Sequence, residues 1–92
     1  MKVQIHLSLM NNGVIKRSMK NVIKKLFDEA FIELKDFLVS EEYAIICVEI
    51  PSIESVSEVL NILYCKSEEY VKNQYLTEQK FFKEGFAIKA VA

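Results

Sequence analysis

The sequence is poor in the residues that build loops. It contains two glycines and one proline in 92 residues, which excludes collagen-like repeats and argues against long irregular segments. No apolar run approaches the roughly 20 residues that a membrane-spanning helix needs. The chain opens on Met1–His6, where every second residue is polar, and we expect no signal peptide there. These absences favour a single globular domain over residues 1–92, located in the cytoplasm.

Residues that carry catalysis or bind cofactors are also scarce. The chain has a single histidine, His6, and no glycine-rich loop that could hold a phosphate. Cys47 and Cys65 are not part of a CxxC pair, so we expect free thiols and no zinc site. A nucleophilic pair of Cys47 and His6 is an enzymatic alternative, but no third residue is at hand to orient it. We therefore predict that the protein is not an enzyme and that it binds no metal and no cofactor.

Charge is distributed unevenly, although the net charge is only −1. Residues 1–27 hold six Lys or Arg and no acid, whereas residues 28–63 hold nine acids and one Lys. One interpretation of residues 1–27 is that they contain a basic helix that contacts nucleic-acid phosphates. Four cations of this helix would make the contacts: Lys16, Arg17, Lys20 and Lys24. The other reading is a pair of solvated faces of opposite charge.

Hydrophobic periodicity predicts a strand followed by a helix in the first third of the chain. Residues 3–9 alternate apolar and polar side chains, which is typical of a half-buried strand. Apolar residues then recur at helical spacing and predict a helix over 14–29. Asn11–Gly13 is also a hairpin signal, which leaves a second strand over 14–20 as an alternative.

The middle of the chain predicts two strands joined by a hairpin. Residues 31–39 are rich in aromatic and β-branched side chains, which favours a strand over continuation of the preceding helix. A turn is expected at 40–42. Residues 43–50 are nearly all apolar, as in a central strand that is covered by other elements, and Pro51 stops this strand.

The last part of the chain predicts helix and then strand. A helix starts after Ser52, with the spacing of a capping box from Ser55 to Glu58. It either continues past residue 70 or is followed by a further helix over 67–84, which Gly85 ends. A short strand is predicted over 86–91. The fold class is therefore α+β: a small antiparallel sheet in β-α-β-β-α order, with helices mainly on one face and a C-terminal extension that adds a strand.

This order resembles the small dimerising subunit of KEOPS, the complex that makes threonylcarbamoyladenosine on tRNA (the CTAG/LAGE-like family). The residues that carry the resemblance are the hydrophobic strand 44–50, Ser52 at the helix start, Val56 at the first core position and the pair Leu60 and Asn61. The resemblance covers about residues 3–70. Ser57 stands where the family usually has an arginine, and the tail has no counterpart in its shorter members, as in a diverged paralogue.

The resemblance implies a non-catalytic protein-interaction subunit of a tRNA-modifying complex. Its partners would be other protein subunits, in a homo- or hetero-dimer, with only weak or indirect contact to tRNA and none to a membrane. The helix face expected at the partner interface comprises Val56, Val59, Leu60 and Leu63, for which the alternative role is the intramolecular core. The alternative function is a stand-alone nucleic-acid-binding module that uses the basic helix.

A small sheet with helices on one face also leaves an open edge. Backbone groups on such an edge have no partner within the domain. Association through this edge, including a homodimer formed by strand pairing, is a natural way to cover it.

Overall fold

A four-stranded antiparallel sheet with two helices on one face forms this structure, a computed structural model that describes residues 1–10 and 14–91 but not the side chains of 14–16. The strands are β1 (Lys2–Leu9), β2 (Glu33–Val39), β3 (Tyr43–Glu49) and β4 (Phe82–Val91). The helices are α1 (Val14–Glu29) and α2, which consists of the segments Val56–Asn61, Ile62–Lys66 and Ser67–Tyr75. The predicted α+β class is confirmed.

The strands lie in the order β2-β3-β1-β4, with every neighbouring pair antiparallel. The chain therefore has the β-α-β-β-α-β order of ferredoxin-like folds. β1 and β3 form the centre of the sheet, and β2 and β4 form its two edges. The C-terminal strand that the sequence predicted is present, but it begins at Phe82 rather than at residue 86.

Alternating side chains in β1 and β3 place the core on one face of the sheet. Val3, Ile5 and Leu7 are buried there, and their partners on β3 are apolar as well. Met19, Ile23 and other residues of α1, with Val59 and Leu63 of α2, complete the same buried cluster. The opposite face of β1 carries Lys2, Gln4, His6 and Ser8, and neither α1 nor α2 lies over it, so we call it the open face. This alternation is what the period-two pattern of residues 3–9 predicted.

Helix α1 has the bounds that its hydrophobic spacing predicted, so the alternative of a strand over 14–20 is wrong. The hairpin signal Asn11–Gly13 itself lies outside the described residues. Phe31 ends the helix with a φ of +59°. The backbone N–H of Phe31 bonds to the carbonyl of Asp28, and that of Ile32 to the carbonyl of Phe27, at 3.2 and 2.9 Å. This is the Schellman arrangement, which usually places glycine at the left-handed position.

The further helix predicted over 67–84 is wrong in its second half. α2 ends at Tyr75, where Leu76 has a left-handed backbone with φ of +53°. Gly85 does not end a helix but lies within β4, at φ of +95°. Aromatic residues that keep a rough helical phase can also alternate along a strand, so periodicity alone did not separate the two.

The predicted capping box is also wrong. Ser52 precedes a short 3₁₀ turn, Ile53–Ser55, and neither Ser52 nor Ser55 makes a side-chain capping bond. Ser55 has helical backbone angles, whereas a capping residue has extended ones. The helical path thus begins before the position that the motif assigned to its start.

Candidate functional site

The helix face predicted as a partner interface lies inside the domain. Val59 and Leu63 have no exposed surface, and Val56 is 8% exposed. Leu60 is partly buried against the same core. These four side chains fill the space between α2 and the sheet, which is the alternative that the sequence left open. A contact of Leu60 with a partner stays a prediction.

The basic helix is solvent-exposed where the structure describes it. Arg17, Lys20 and Lys24 point away from the core, whereas the side chain of Lys16 lies outside the described part of the chain. The Lys20 ammonium lies 5.9 Å from the centre of the Phe37 ring, a distance at which a cation is attracted to the ring face. Lys20 and Lys24 also line a shallow groove between α1 and β2, of about 350 Å³, in which Asp36 opposes their charge.

The enzymatic alternative places its two residues on the open face without bringing them opposite each other. Cys47 of β3 faces Gln4 of β1, and His6 faces Ile45, two residues further along each strand. Cys47 is half-buried and Cys65 is exposed, and both thiols are free. Among residues 1–10 and 14–91 no group of three His, Cys, Asp or Glu is placed to hold a metal ion. In the same part of the chain no helix is long and apolar enough to cross a membrane.

A depression of about 380 Å³ lies on the open face, between the ends of β1 and β3 and an irregular part of β4. His6, Ser8 and Tyr43 line it from the two central strands. Glu84 and Gly85 line it from β4. Tyr43 is 53% exposed, so its ring is accessible from solvent.

Strand β4 presents an exposed apolar surface that sequence reasoning did not single out. Its side chains on the helix side are not covered, because Phe86 is 49% and Ile88 is 36% exposed. The partners of these residues on β1, Leu7 and Ile5, are buried. The core face of the sheet therefore continues onto β4 as an apolar strip that solvent reaches. We call Phe86–Val91 the β4 strip.

An irregularity precedes the β4 strip. The pairing with β1 is continuous from Lys2 opposite Val91 to Leu7 opposite Phe86, but Leu9 then faces Phe82, so β4 carries two extra residues there. A bulge of this kind accommodates a glycine at positive φ, as Gly85 has. The bulge allows Phe82 to return to the core, where it is 2% exposed.

Tyr64 of α2 holds this bulge in place. Its hydroxyl donates a hydrogen bond of 3.1 Å to the carbonyl oxygen of Gly85. Its ring lies 6.1 Å from the ring of Phe82 and 6.4 Å from the ring of Phe86, measured between centroids. Partial burial raises the pKa of Tyr64 above its usual value, and the nearby Glu84 carboxylate adds to this effect. Tyr64 lies 21 residues before Gly85 in the chain, so this contact could have been predicted from the sequence only with the sheet register already known.

The other edge of the sheet, β2, differs from β4 in chemistry. It carries Glu33, Lys35 and Asp36, and its pairing with β3 shifts at Lys35. The Lys35 ammonium lies 2.8 Å from a carboxylate oxygen of Glu33, and this hydrogen bond raises the pKa of Lys35. Charges and register shifts are devices that discourage edge-to-edge pairing. The β4 strip has one charged residue, Lys89.

Comparison with known proteins identifies a fold and no family. No protein-family model and no curated protein matches the chain in sequence. Among solved structures, the chain is similar to a putative transposase from Deinococcus radiodurans R1, with a TM-score of 0.70 and 10% identity. The alignment covers 100% of this chain and 79% of that one.

This similarity overturns the resemblance to the small KEOPS subunit and the tRNA-modifying role that it implied. The transposase fold matches the whole chain, including β4, whereas the KEOPS resemblance stopped near residue 70. The strand, helix-start and helix pattern at 44–61 is common to many α+β domains, so it did not discriminate between them. The alternative of a stand-alone module built on the basic helix gains no support from the comparison either.

Proposed function

We propose that this chain is a non-catalytic protein-interaction domain that binds its partner by strand addition at β4. The observation that carries the proposal is the β4 strip, an apolar strand at the edge of the sheet whose Phe86 and Ile88 are exposed. In strand addition, backbone hydrogen bonds supply affinity, and alternate side chains fill sites on one face of the sheet. Phe86, Ile88 and Ala90 share such a face.

The contrast between the two edges supports this choice. β2 has charges and a register shift along its pairing with β3, whereas β4 confines its register shift and the charges of Lys83 and Glu84 to the residues before the β4 strip. An edge that is long, regular and apolar pairs with another strand unless something covers it. The non-catalytic part of the proposal rests on the sequence, which has one histidine and no phosphate-binding loop. The free thiols of Cys47 and Cys65 support the reducing cytoplasm as its compartment.

A paired set of surface variants tests strand addition. Phe86→Lys and Ile88→Lys put charge on the β4 strip, and Leu76→Lys is the matched control, because Leu76 is 90% exposed at the end of α2. Tagged wild type and variants are captured from the native host and their bound proteins quantified by mass spectrometry. We expect the captured amount of at least one protein to fall more than tenfold in both β4 variants and to be unchanged in the control. Identical sets of bound proteins in all four samples would refute the proposal.

The fold likeness to a putative transposase favours a second candidate, a role in DNA transposition that uses the depression on the open face. His6 is a proton-transfer group and Tyr43 an exposed hydroxyl in that depression. Under this candidate, the purified chain binds or cleaves DNA at low salt, and Tyr43→Phe or His6→Ala removes the activity. Tyr75→Phe, at the end of α2, is the control. Absence of binding and cleavage with the wild-type chain rules this candidate out.

A further inference from the structure

We infer that the partner at the β4 strip is a second copy of this chain, with the two β4 strands paired antiparallel about Ile88. The inference rests on the proposed function and names its partner. Such a dimer joins two four-stranded sheets into one sheet of eight strands and covers the edge that each copy leaves open.

Symmetry limits how two copies can meet at this edge. In a two-fold contact, if residue i of one copy faces residue j of the other, then j also faces i. Opposite residues of an antiparallel pair point to the same face of the sheet. A two-fold axis perpendicular to the sheet must therefore pass beside a single residue, which faces its own counterpart in the second copy.

We call the residue beside which the two-fold axis passes the centre of the pair. The regular part of β4 offers two residues that can serve as this centre. The bulge ends at Phe86, and pairing with β1 is continuous from there to Val91. With the centre at Ile88 or at Lys89, five residues of each copy pair with the other copy and all of them belong to this regular part. With the centre at Ala87, only three residues of the regular part pair with the other copy, and the bulge at Gly85 becomes part of the contact.

Charge and shape decide between the two centres. A centre at Lys89 places two ammonium groups directly opposite each other, which destabilises the pair. A centre at Ile88 places Ile88 against its counterpart and Phe86 against Ala90 of the second copy, a large side chain beside a small one. Lys89 then faces Ala87. Phe86 of each copy lies diagonal to Ile88 of the other, within reach of an aromatic ring.

The resulting apolar cluster contains Phe86 and Ile88 from both copies on the helix side of the joined sheet. Tyr64 lies beside Phe86 and extends the cluster towards α2. Stable interfaces bury roughly 800 Å² on each partner, about one seventh of the 5869 Å² that one copy exposes. A contact of two five-residue segments is smaller than this, so we expect a reversible dimer whose fraction rises with concentration.

Sedimentation of the purified full chain over a hundredfold concentration range tests the partner. We expect the weight-average mass to rise from monomer towards dimer in the wild type and in Leu76→Lys. Phe86→Lys and Ile88→Lys should remain monomeric at the highest concentration, with an unchanged circular dichroism spectrum. A wild type that is monomeric throughout overturns the inference. Strand addition to a different protein still stands in that case if the capture experiment shows a partner that depends on β4.

Single cysteines test the register. In a background with Cys47→Ser and Cys65→Ser, one cysteine is introduced at 87, 88 or 89, and disulfide-linked dimer is measured after mild oxidation. A disulfide needs Cβ atoms within roughly 4.5 Å, so we expect Ile88→Cys to cross-link faster and more completely than Ala87→Cys or Lys89→Cys. Faster linkage at 87 or 89 overturns the centre at Ile88. An equal, slow rate at all three positions overturns pairing through β4.

Discussion

Phe31 and Leu76 have left-handed backbone angles, φ of +59° and +53°, and each lies where a helix ends. Their side chains are 96% and 90% exposed. A left-handed backbone costs a residue with a Cβ atom roughly 1–2 kcal/mol. Because these side chains bury almost no surface, their contacts within the domain offset little of this free-energy cost.

Glycine at either position is expected to stabilise the protein. Phe31→Gly and Leu76→Gly each remove the strain of the left-handed backbone, partly offset by the greater freedom of glycine in the unfolded chain, and should raise the free energy of unfolding by about 0.5–1 kcal/mol. Urea denaturation measures the change. Tyr75→Gly, one residue earlier in the helix, is the control and should lower stability by about 1 kcal/mol. A decrease in both test variants would show that these side chains make contacts that stabilise the fold.

At the scale of an element, β4 depends on a side chain from α2. Tyr64 bonds to the carbonyl oxygen of Gly85 within the bulge, and its ring contacts Phe82 and Phe86 on either side. Gly85 has no atom within 4 Å of the position that a Cβ would occupy. The backbone angle, rather than space, therefore favours glycine at this position.

The raised pKa of Tyr64 predicts how stability changes with pH. In the unfolded chain the phenol ionises near its usual value of 10.0, whereas in the folded chain it holds its proton to higher pH. Stability from this group is therefore full below about pH 10 and is lost as pH rises through the folded-state pKa. Denaturant titrations between pH 8 and 11 should show a steeper alkaline loss for the wild type than for Tyr64→Phe. Parallel losses in the two proteins would contradict the assignment, and Tyr75→Phe shows the effect of removing an exposed phenol.

The elements differ in how far the sequence predicts them. α1 has a continuous apolar stripe from Met19 to Phe27 and was predicted with its observed bounds. The segment after Tyr75 lacks such a stripe. The left-handed position is occupied by Leu76 and not by glycine or asparagine, the residues that usually indicate such a turn. The end of α2 and the start of β4 were therefore missed. The helix face at 56–63 was correctly seen as apolar, but periodicity does not say whether the apolar neighbour belongs to the same chain.

For the whole molecule, the order of strands decides which surfaces are available. Local patterns predicted the strands, but not that β4 pairs with β1 and lies at an edge. That pairing joins residues from the two ends of the described chain, and its register depends on a bulge held by a distant tyrosine. Sequence spacing carries no signal for such a contact, so the β4 strip becomes visible only in three dimensions.

The position of β1 between β3 and β4 has a consequence during protein synthesis. β1 is the first strand to be synthesised, before both of the strands that flank it in the sheet. Until β4 arrives, the outer side of β1 is itself a sheet edge, with backbone groups that lack a strand to bond. The sheet is therefore complete on both sides of β1 only once residues 82–91 are available for pairing.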